Sequence, residues 1–241
     1  MDRIIVNQAL LDATTEARYL EIGVNSGNSF IPIRAAMKWG VDPAYTLSRK
    51  RRAKYAVFSA LHLKTERLFR MTSDAFFASR RRMLTRHGID VCFVDGLHTY
   101  EQSLRDVINA LAYLKSGGVI VMHDCNPVSA VAAHPATSID EVIALRVPGW
   151  TGAWSGDVWK TIVHLRSRRS DLRAFVLDCD TGVGIVTREP AAETLPFTEP
   201  EIQALDYRAL EADRQRLLGL QPAEYFDTFL RERLRGRGAA S

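Results

Sequence analysis

Short apolar runs alternate with longer amphipathic segments along most of the chain, the pattern of a parallel sheet covered by helices. The apolar runs predict strands at 17–23, 39–42, 67–71, 91–95 and 119–123. Helices are predicted between them, near 28–38, 50–61, 74–86 and 100–114. The last has the clearest periodicity: Leu104, Val107, Ile108, Leu111 and Leu114 recur at three and four residues, and Ser116-Gly117-Gly118 is expected to stop it. Beyond residue 157 the pattern changes. VWKTIVHLR reads as a helix with a short strand as its rival, and RAFVLDCDTGVGIVTRE as two strands joined by a hairpin turn at 180–182. The expected fold is α/β: about five parallel strands, doubly wound with helices, followed by a C-terminal antiparallel hairpin.

A chain of 241 residues buries a full core and is expected to form a single domain over 1–190, with a helical C-terminal extension over 191–241. Residues 126–156 are long for a connection, carry one short helical pattern at 139–145, and read as a substrate-side insertion. An apolar fraction of 46% and a charged fraction of 25% exclude a disordered or fibrous chain. No apolar run approaches the roughly 18 residues of a membrane helix, and the N-terminus lacks the apolar core of a signal peptide, so a cytoplasmic location is expected. Cys92, Cys125 and Cys179 are too few and too scattered for a disulfide framework and read as reduced thiols. The net charge of +4 rests largely on arginines in helical stretches, which favours solvated helix faces over a nucleic-acid surface. In the extension, Tyr225, Phe226, Phe229 and Leu230 form an apolar stripe that either packs on its own sheet or pairs with a second subunit, and a homodimer is expected.

The stretch YLEIGVNSGNSF places two glycines and several short polar residues where the first strand ends. In an open parallel sheet, ligands bind at that carboxyl edge, and glycines there allow a tight turn and a close approach of the main chain. A phosphate loop would need a lysine where Asn28 stands, and the dinucleotide spacing fails at Asn25. What remains is Glu21-x-Gly23-x-Asn25-x-Gly27.

With these residues the chain resembles the class I methyltransferases that use S-adenosylmethionine, whose fold is Rossmann-like. LEIGVNSGNS resembles their first motif, and GVDP supplies Asp42 where the family holds the ribose hydroxyls. Ser73 and Asp74 in RMTSDAFF stand where the family commonly recognises adenine. CFVDGLHTYEQSLRDVINALAYLKSGGVIVMHDCNP is similar to a bacterial subgroup of small-molecule and sugar O-methyltransferases. The resemblance covers about 17–127 and resumes at GDVWK. It implies S-adenosylmethionine bound by Glu21, Gly23, Asn25, Gly27, Asp42, Ser73, Asp74 and Asp95. It also implies that a bulkier residue at Gly23 blocks the cofactor, without unfolding the chain.

Methyl transfer to oxygen needs the acceptor's proton removed, by a base or by a cation that lowers its pKa. Asp95 and Asp124 end adjacent predicted strands and should face one cleft, where two carboxylates suit Mg²⁺. Metal-dependent relatives carry a third ligand just after the second acid; here Cys125 holds that place and Asn126 the next. A thiol is a poor Mg²⁺ ligand. His98 and His123 flank the acids as candidate bases, and Asp95 is a candidate catalytic group with them. Tyr100 and Glu101 are expected to begin a helix, while Trp154 and Trp159 suit either an aromatic wall over a ring or sugar, or packing of the insertion. The expected reaction is methyl transfer to a hydroxyl of a small molecule such as a sugar. Two alternatives stay open: methylation of RNA, from SRKRRAKYAVF, SRRRMLTRHG and LRSRRS, and a non-catalytic scaffold of the same fold.

Overall fold

The computed structural model describes residues 1–48, 50, 53 and 66–238. One sheet of eight strands organises the chain: β1 (Arg18–Ile22), β2 (Met37–Val41), β3 (Glu66–Phe69), β4 (Ile89–Val94), β5 (Leu114–Met122), β6 (Arg173–Asp178), β7 (Val183–Thr187) and β8 (Gln221–Pro222). Their spatial order is β3-β2-β1-β4-β5-β7-β6-β8. The first five are parallel, β7 runs antiparallel to both β5 and β6, and β8 lies parallel to β6. The predicted parallel sheet and terminal hairpin are therefore present, with β8 added by the C-terminal segment.

Both faces of the sheet are covered, which is why β4 is buried at all six positions and reads as a continuous apolar run. Period-2 alternation sorts the side chains. Tyr19, Phe93, Val121 and Phe175 pack under α1 (Arg3–Asp12) and the C-terminal helix α10 (Tyr225–Gly238). Leu20, Cys92, Ile120 and Val176 pack with residues of α2 (Ser73–Ser79), α3 (Arg81–His87), α4 (Tyr100–Leu111) and α6 (Trp159–Arg168) on the other face. Three short helices, α7 (Glu199–Ala204), α8 (Tyr207–Ala212) and α9 (Arg214–Leu218), bring Ile202, Leu210 and Leu217 into that same core. The extension is thus part of the domain's packing.

Several expected elements differ. The helix near 28–38 does not form: Pro32 supplies no amide hydrogen, and the buried Lys38 ammonium donates to the carbonyls of Phe30 (3.2 Å) and Ile33 (2.9 Å). Lys38 is held there by Glu66 at 3.0 Å. The helix near 74–86 is two helices, broken at Arg80. The helix at 100–114 stops at Leu111, and Ser116-Gly117-Gly118 lies inside β5, which starts early enough for Leu114 to pair with Ile89. The helix expected at 50–61 falls almost wholly outside the described residues. Helix α5 (Ile139–Leu145) forms in the insertion as expected.

The apolar stripe of α10 is spent on its own sheet. Phe226 and Phe229 are buried, and Phe229 meets Phe175 edge-on at 5.4 Å. That removes the ground on which a dimer through this stripe was expected.

Strand order reverses between β1 and β4, so a crevice opens at their carboxyl ends. Gly23 sits in it with φ +92°, and a Cβ there would fall on the main-chain carbonyl of Asp95. The glycine serves the passage of one strand-end loop past the other, so Gly23→Ala should destabilise the protein. Backbone strain alone costs about 1–3 kcal/mol, and the overlap adds to it. Urea unfolding checks this; an unchanged midpoint would show that the β4 loop moves aside freely.

Candidate active site

The crevice is a cleft of about 690 Å³ lined from Gly23 and Asn25, through Asp42, Pro43 and Ala44, to Ser73, Asp74, Gln102 and Asp106, and on the other side by Asp95, His98, His123 and Asp124. Most residues singled out in the sequence therefore meet in one place. Glu21 and Gly27 do not line it.

Glu21 points to the α1 face of the sheet, where it is fully buried and hydrogen-bonded to the Tyr19 hydroxyl (2.5 Å) and the Ser29 hydroxyl (2.7 Å). Burial pushes its pKa up, against the pull of those two hydroxyls, to about 8. It ties β1 to the turn after the glycines. Gly27 faces Leu47 and Ile31 inside that turn. Asn25 takes a left-handed conformation, φ +45°, which asparagine tolerates better than most residues. Its amide donates to Asp42 Oδ2 at 2.7 Å, while Asp42 Oδ1 accepts from the Ala44 amide at 2.6 Å. Each carboxylate oxygen keeps a further lone pair for a ligand.

At the far end, Gln102 donates to Ser73 Oγ (3.2 Å) and to Asp106 Oδ1 (3.0 Å). Asp106 is buried, and burial raises its pKa to about 6. Gln102 and Asp106 were not singled out from the sequence, although an aspartate beside Val107 on the core stripe of an amphipathic helix is a visible signal. Asp74 lies half-exposed and paired with Arg105 at 3.1 Å.

The other end is a charged cluster. His123 Nδ1 lies 3.0 Å from Asp124 Oδ2 and 3.3 Å from Asp95 Oδ1; its Nε2 faces Thr181 Oγ1 at 3.2 Å and Asp180 Oδ1 at 3.6 Å. Burial works to lower the His123 pKa, but hydrogen bonds to Asp124, Asp180 and Asp95 outweigh it and push the value up to about 12. Both ring nitrogens are engaged, and the carboxylates around the ring favour its charged form. Its presence holds Asp95 down to about 2 in spite of burial, with help from His98. Asp124, in a left-handed conformation at φ +59°, also accepts from Ser155 Oγ (2.9 Å) and Thr181 Oγ1 (3.0 Å).

His98 is placed differently. Its Nδ1 lies 2.7 Å from the Trp154 carbonyl oxygen, which can only accept, so Nδ1 carries a hydrogen and Nε2 is the nitrogen that titrates. Nε2 faces the cleft, 3.5 Å from Asp124 Oδ2 and 3.6 Å from Asp95 Oδ1. Burial lowers its pKa, but the two carboxylates and the Trp154 carbonyl more than offset this and leave it raised. The return of the insertion builds this arrangement. Gly156 is a glycine because a Cβ would strike the His98 carbonyl, and the Trp154 ring tilts against His98 at 5.3 Å, with its indole N–H on the His134 carbonyl. Trp159 is buried in the core, so of the two tryptophans only Trp154 stands by the site.

Asp95, His98 and Asp124 offer donor atoms that all lie within 4.8 Å of one another, a set that can hold a divalent cation. The third donor is His98. Cys125 is fully buried, and Asn126 is turned away to Asp178 (3.0 Å) and Arg214.

Residues 20–125 match the family model described as a methyltransferase domain. Among solved structures, the cofactor-bound protein Rv0187 from MTB is similar with a TM-score of 0.50 and 16% identity, over 79% of this chain and 82% of that one. The O-methyltransferase TomG from Streptomyces achromogenes, solved with S-adenosylmethionine, gives 0.48 and 18% over 77% and 78%. No curated protein matches the chain. At such identities the solved structures speak to the fold. The chain thus shares its fold with the cofactor-bound Rv0187 and carries, over residues 20–125, a segment similar to a methyltransferase domain.

The position of Glu21 generates a prediction. A carboxyl raised to about 8 in the fold contributes stability that is full below its ordinary value near 4.5 and is lost as pH rises through 8. Glu21→Gln imitates the neutral form, so relative to wild type it should gain melting temperature between pH 7 and 9 while binding S-adenosylhomocysteine within a few-fold of wild type. A tenfold loss of affinity at unchanged stability would instead put the carboxylate against the cofactor.

Proposed function

We propose that the protein transfers the methyl group of S-adenosylmethionine to a hydroxyl of a small hydroxylated molecule, a sugar or a similar metabolite, at the carboxylate and histidine end of the cleft. The observation that carries this reading is the His98 ring: its Nδ1 is committed to the Trp154 carbonyl, which leaves Nε2 on the cleft wall beside two carboxylates. A neutral Nε2 there is a base with a raised pKa, suited to taking the proton of an alcohol as the methyl group arrives. His123 is engaged at both nitrogens and charged, so it holds the carboxylates in place and does not itself take the proton. The cofactor would lie along the glycine turn with its ribose diol on Asp42 and its adenine towards Ser73, Asp74, Gln102 and Asp106, all of which line the cleft. Gly23, Asn25 and Asp95 line the same cleft.

The donor set fits a divalent cation such as Mg²⁺, held by Asp95, Asp124 and His98. When bound, such an ion lowers the pKa of a coordinated hydroxyl. The charge count agrees with either occupant. Asp95, Asp124 and Asp180 face two cations, His123 and Arg3, so one negative charge remains when His98 is neutral. That deficit attracts a proton to His98 or a metal ion to the same opening. No helix among the described residues is long and apolar enough to cross a membrane.

His98→Gln should lower kcat by about 10²–10⁴, the usual contribution of a positioned base, with S-adenosylhomocysteine affinity preserved. Wild-type kcat should fall as pH drops through the His98 pKa, which lies above the ordinary 6.5 because the flanking carboxylates stabilise the protonated ring. Turnover of the glutamine variant within threefold of wild type, over a panel of hydroxylated sugars and phenols, would overturn this assignment. For the metal, turnover should be lost in EDTA and restored by Mg²⁺ in wild type but not in Asp124→Ala. Full activity in EDTA would reject the cation and leave His98 as the sole activating group.

A further inference from the structure

The charged end of the cleft is bounded from behind by the first turn of α1 and by the turn between β6 and β7. Asp180 and Thr181 are both left-handed, with φ of +46° and +60°, and the Gly182 amide closes the turn onto the Cys179 carbonyl at 2.8 Å. Two successive left-handed residues make a type I′ turn, which here aims both side chains at His123. Thr181 Oγ1 lies 3.2 Å from His123 Nε2 and 3.0 Å from Asp124 Oδ1. Asp180 is in turn gripped by Arg3: Nη1 donates to Oδ1 at 2.9 Å and to Oδ2 at 2.8 Å, and the Arg3 amide, at the helix start, donates to Oδ2 at 2.9 Å. Arg3 Nη1 also stands 3.2 Å from His123 Nε2.

The contacts form an unbroken line: Arg3 to Asp180, Asp180 and Thr181 to His123, and His123 to Asp95 and Asp124. A surface ion pair contributes little by itself, but Arg3 and Asp180 are three-quarters or more covered and converge on one ring. We propose that Arg3 and Asp180 are positioning residues for the methyl-transfer centre: anchored by the start of α1, they fix the His123 ring and through it the separation of the Asp95 and Asp124 carboxylates. The proposal rests on reading that cluster as the centre of the reaction. It gives α1 and the hairpin turn, both remote from the cofactor end, a part in the chemistry. Neither Arg3 nor Asp180 lines the cleft, so their removal should leave cofactor binding alone.

The test uses the full chain with Arg3→Ala, Arg3→Lys and Asp180→Asn. In Arg3→Ala and Asp180→Asn, kcat should fall about 10- to 100-fold with KM for S-adenosylmethionine and affinity for S-adenosylhomocysteine within twofold of wild type. Arg3→Lys, which keeps a cation at the helix start, should recover most of that loss. The double variant should be no worse than the poorer single one, since both changes break the same line of contacts. A kcat within twofold of wild type in both variants overturns the proposal. So does a parallel fall of kcat, cofactor affinity and melting temperature without recovery in Arg3→Lys, which would mark a general structural role. Should the wild type methylate no acceptor, the reading of the site fails separately, and nitrogen-15 spectra then decide the positioning. The proposal requires a slowly exchanging His123 Nδ1 proton in wild type that is lost in Arg3→Ala; an unaltered resonance overturns it.

Discussion

Like charges at adjacent strand ends set the terms for this protein. A parallel sheet brings the carboxyl ends of β4 and β5 side by side, and here both end in aspartate, with Asp180 of the hairpin turn close behind. Three carboxylates partly removed from water cannot all stay ionised without compensation. His123 supplies it, as a charged ring bonded to Asp124 at 3.0 Å, to Asp95 at 3.3 Å and facing Asp180 at 3.6 Å. The arrangement frees His98 for another task. With the aspartates already paired, the second imidazole can keep an uncommitted nitrogen on the cleft side, oriented by the Trp154 carbonyl at 2.7 Å. Two histidines three residues or less from the acids thus take opposite roles, one fixed and charged, the other open and able to titrate.

Segments far apart in the chain are needed to hold this balance. The insertion returns through Trp154, Ser155 and Gly156 to touch His98 and Asp124, and its exit residue Asp157 accepts from the Tyr100 amide at 2.7 Å to start α4. The C-terminal extension reaches the other root of the insertion, where Arg214 binds Asn126 and the Pro127 carbonyl (2.9 Å). Helix α1 closes the rear through Arg3. A fold that could be described as a parallel sheet with decorations is, at the charged end of the cleft, built largely from the decorations.

Much of this was legible in the sequence, and the division follows the range of the interactions. The strands of the parallel sheet were visible because burial on both faces leaves near-continuous apolar runs, and the acids at 42, 95 and 124 were visible because strand ends are where apolar runs stop. Hairpin and insertion helix followed from a local turn signal and a short helical pattern. What was hidden depends on partners distant in sequence. Lys38 unmakes a helix by taking two carbonyls of the segment before it, Glu21 is bonded to the Tyr19 and Ser29 hydroxyls, and Gly23 yields to the backbone of Asp95. The separate fates of His98 and His123 were likewise unreadable, because they are decided by Trp154, Thr181 and Asp180, none of which lies near either in the chain.

The central claim is the division of labour between these two rings, and a nitrogen-15 NMR titration of the histidines in metal-free protein tests it most directly. The account predicts that His98 titrates at a pKa above 6.5, with Nδ1 protonated throughout, while His123 stays doubly protonated from pH 5 to 9. A His123 ring that loses its proton in the neutral range while His98 shows no titration would contradict it.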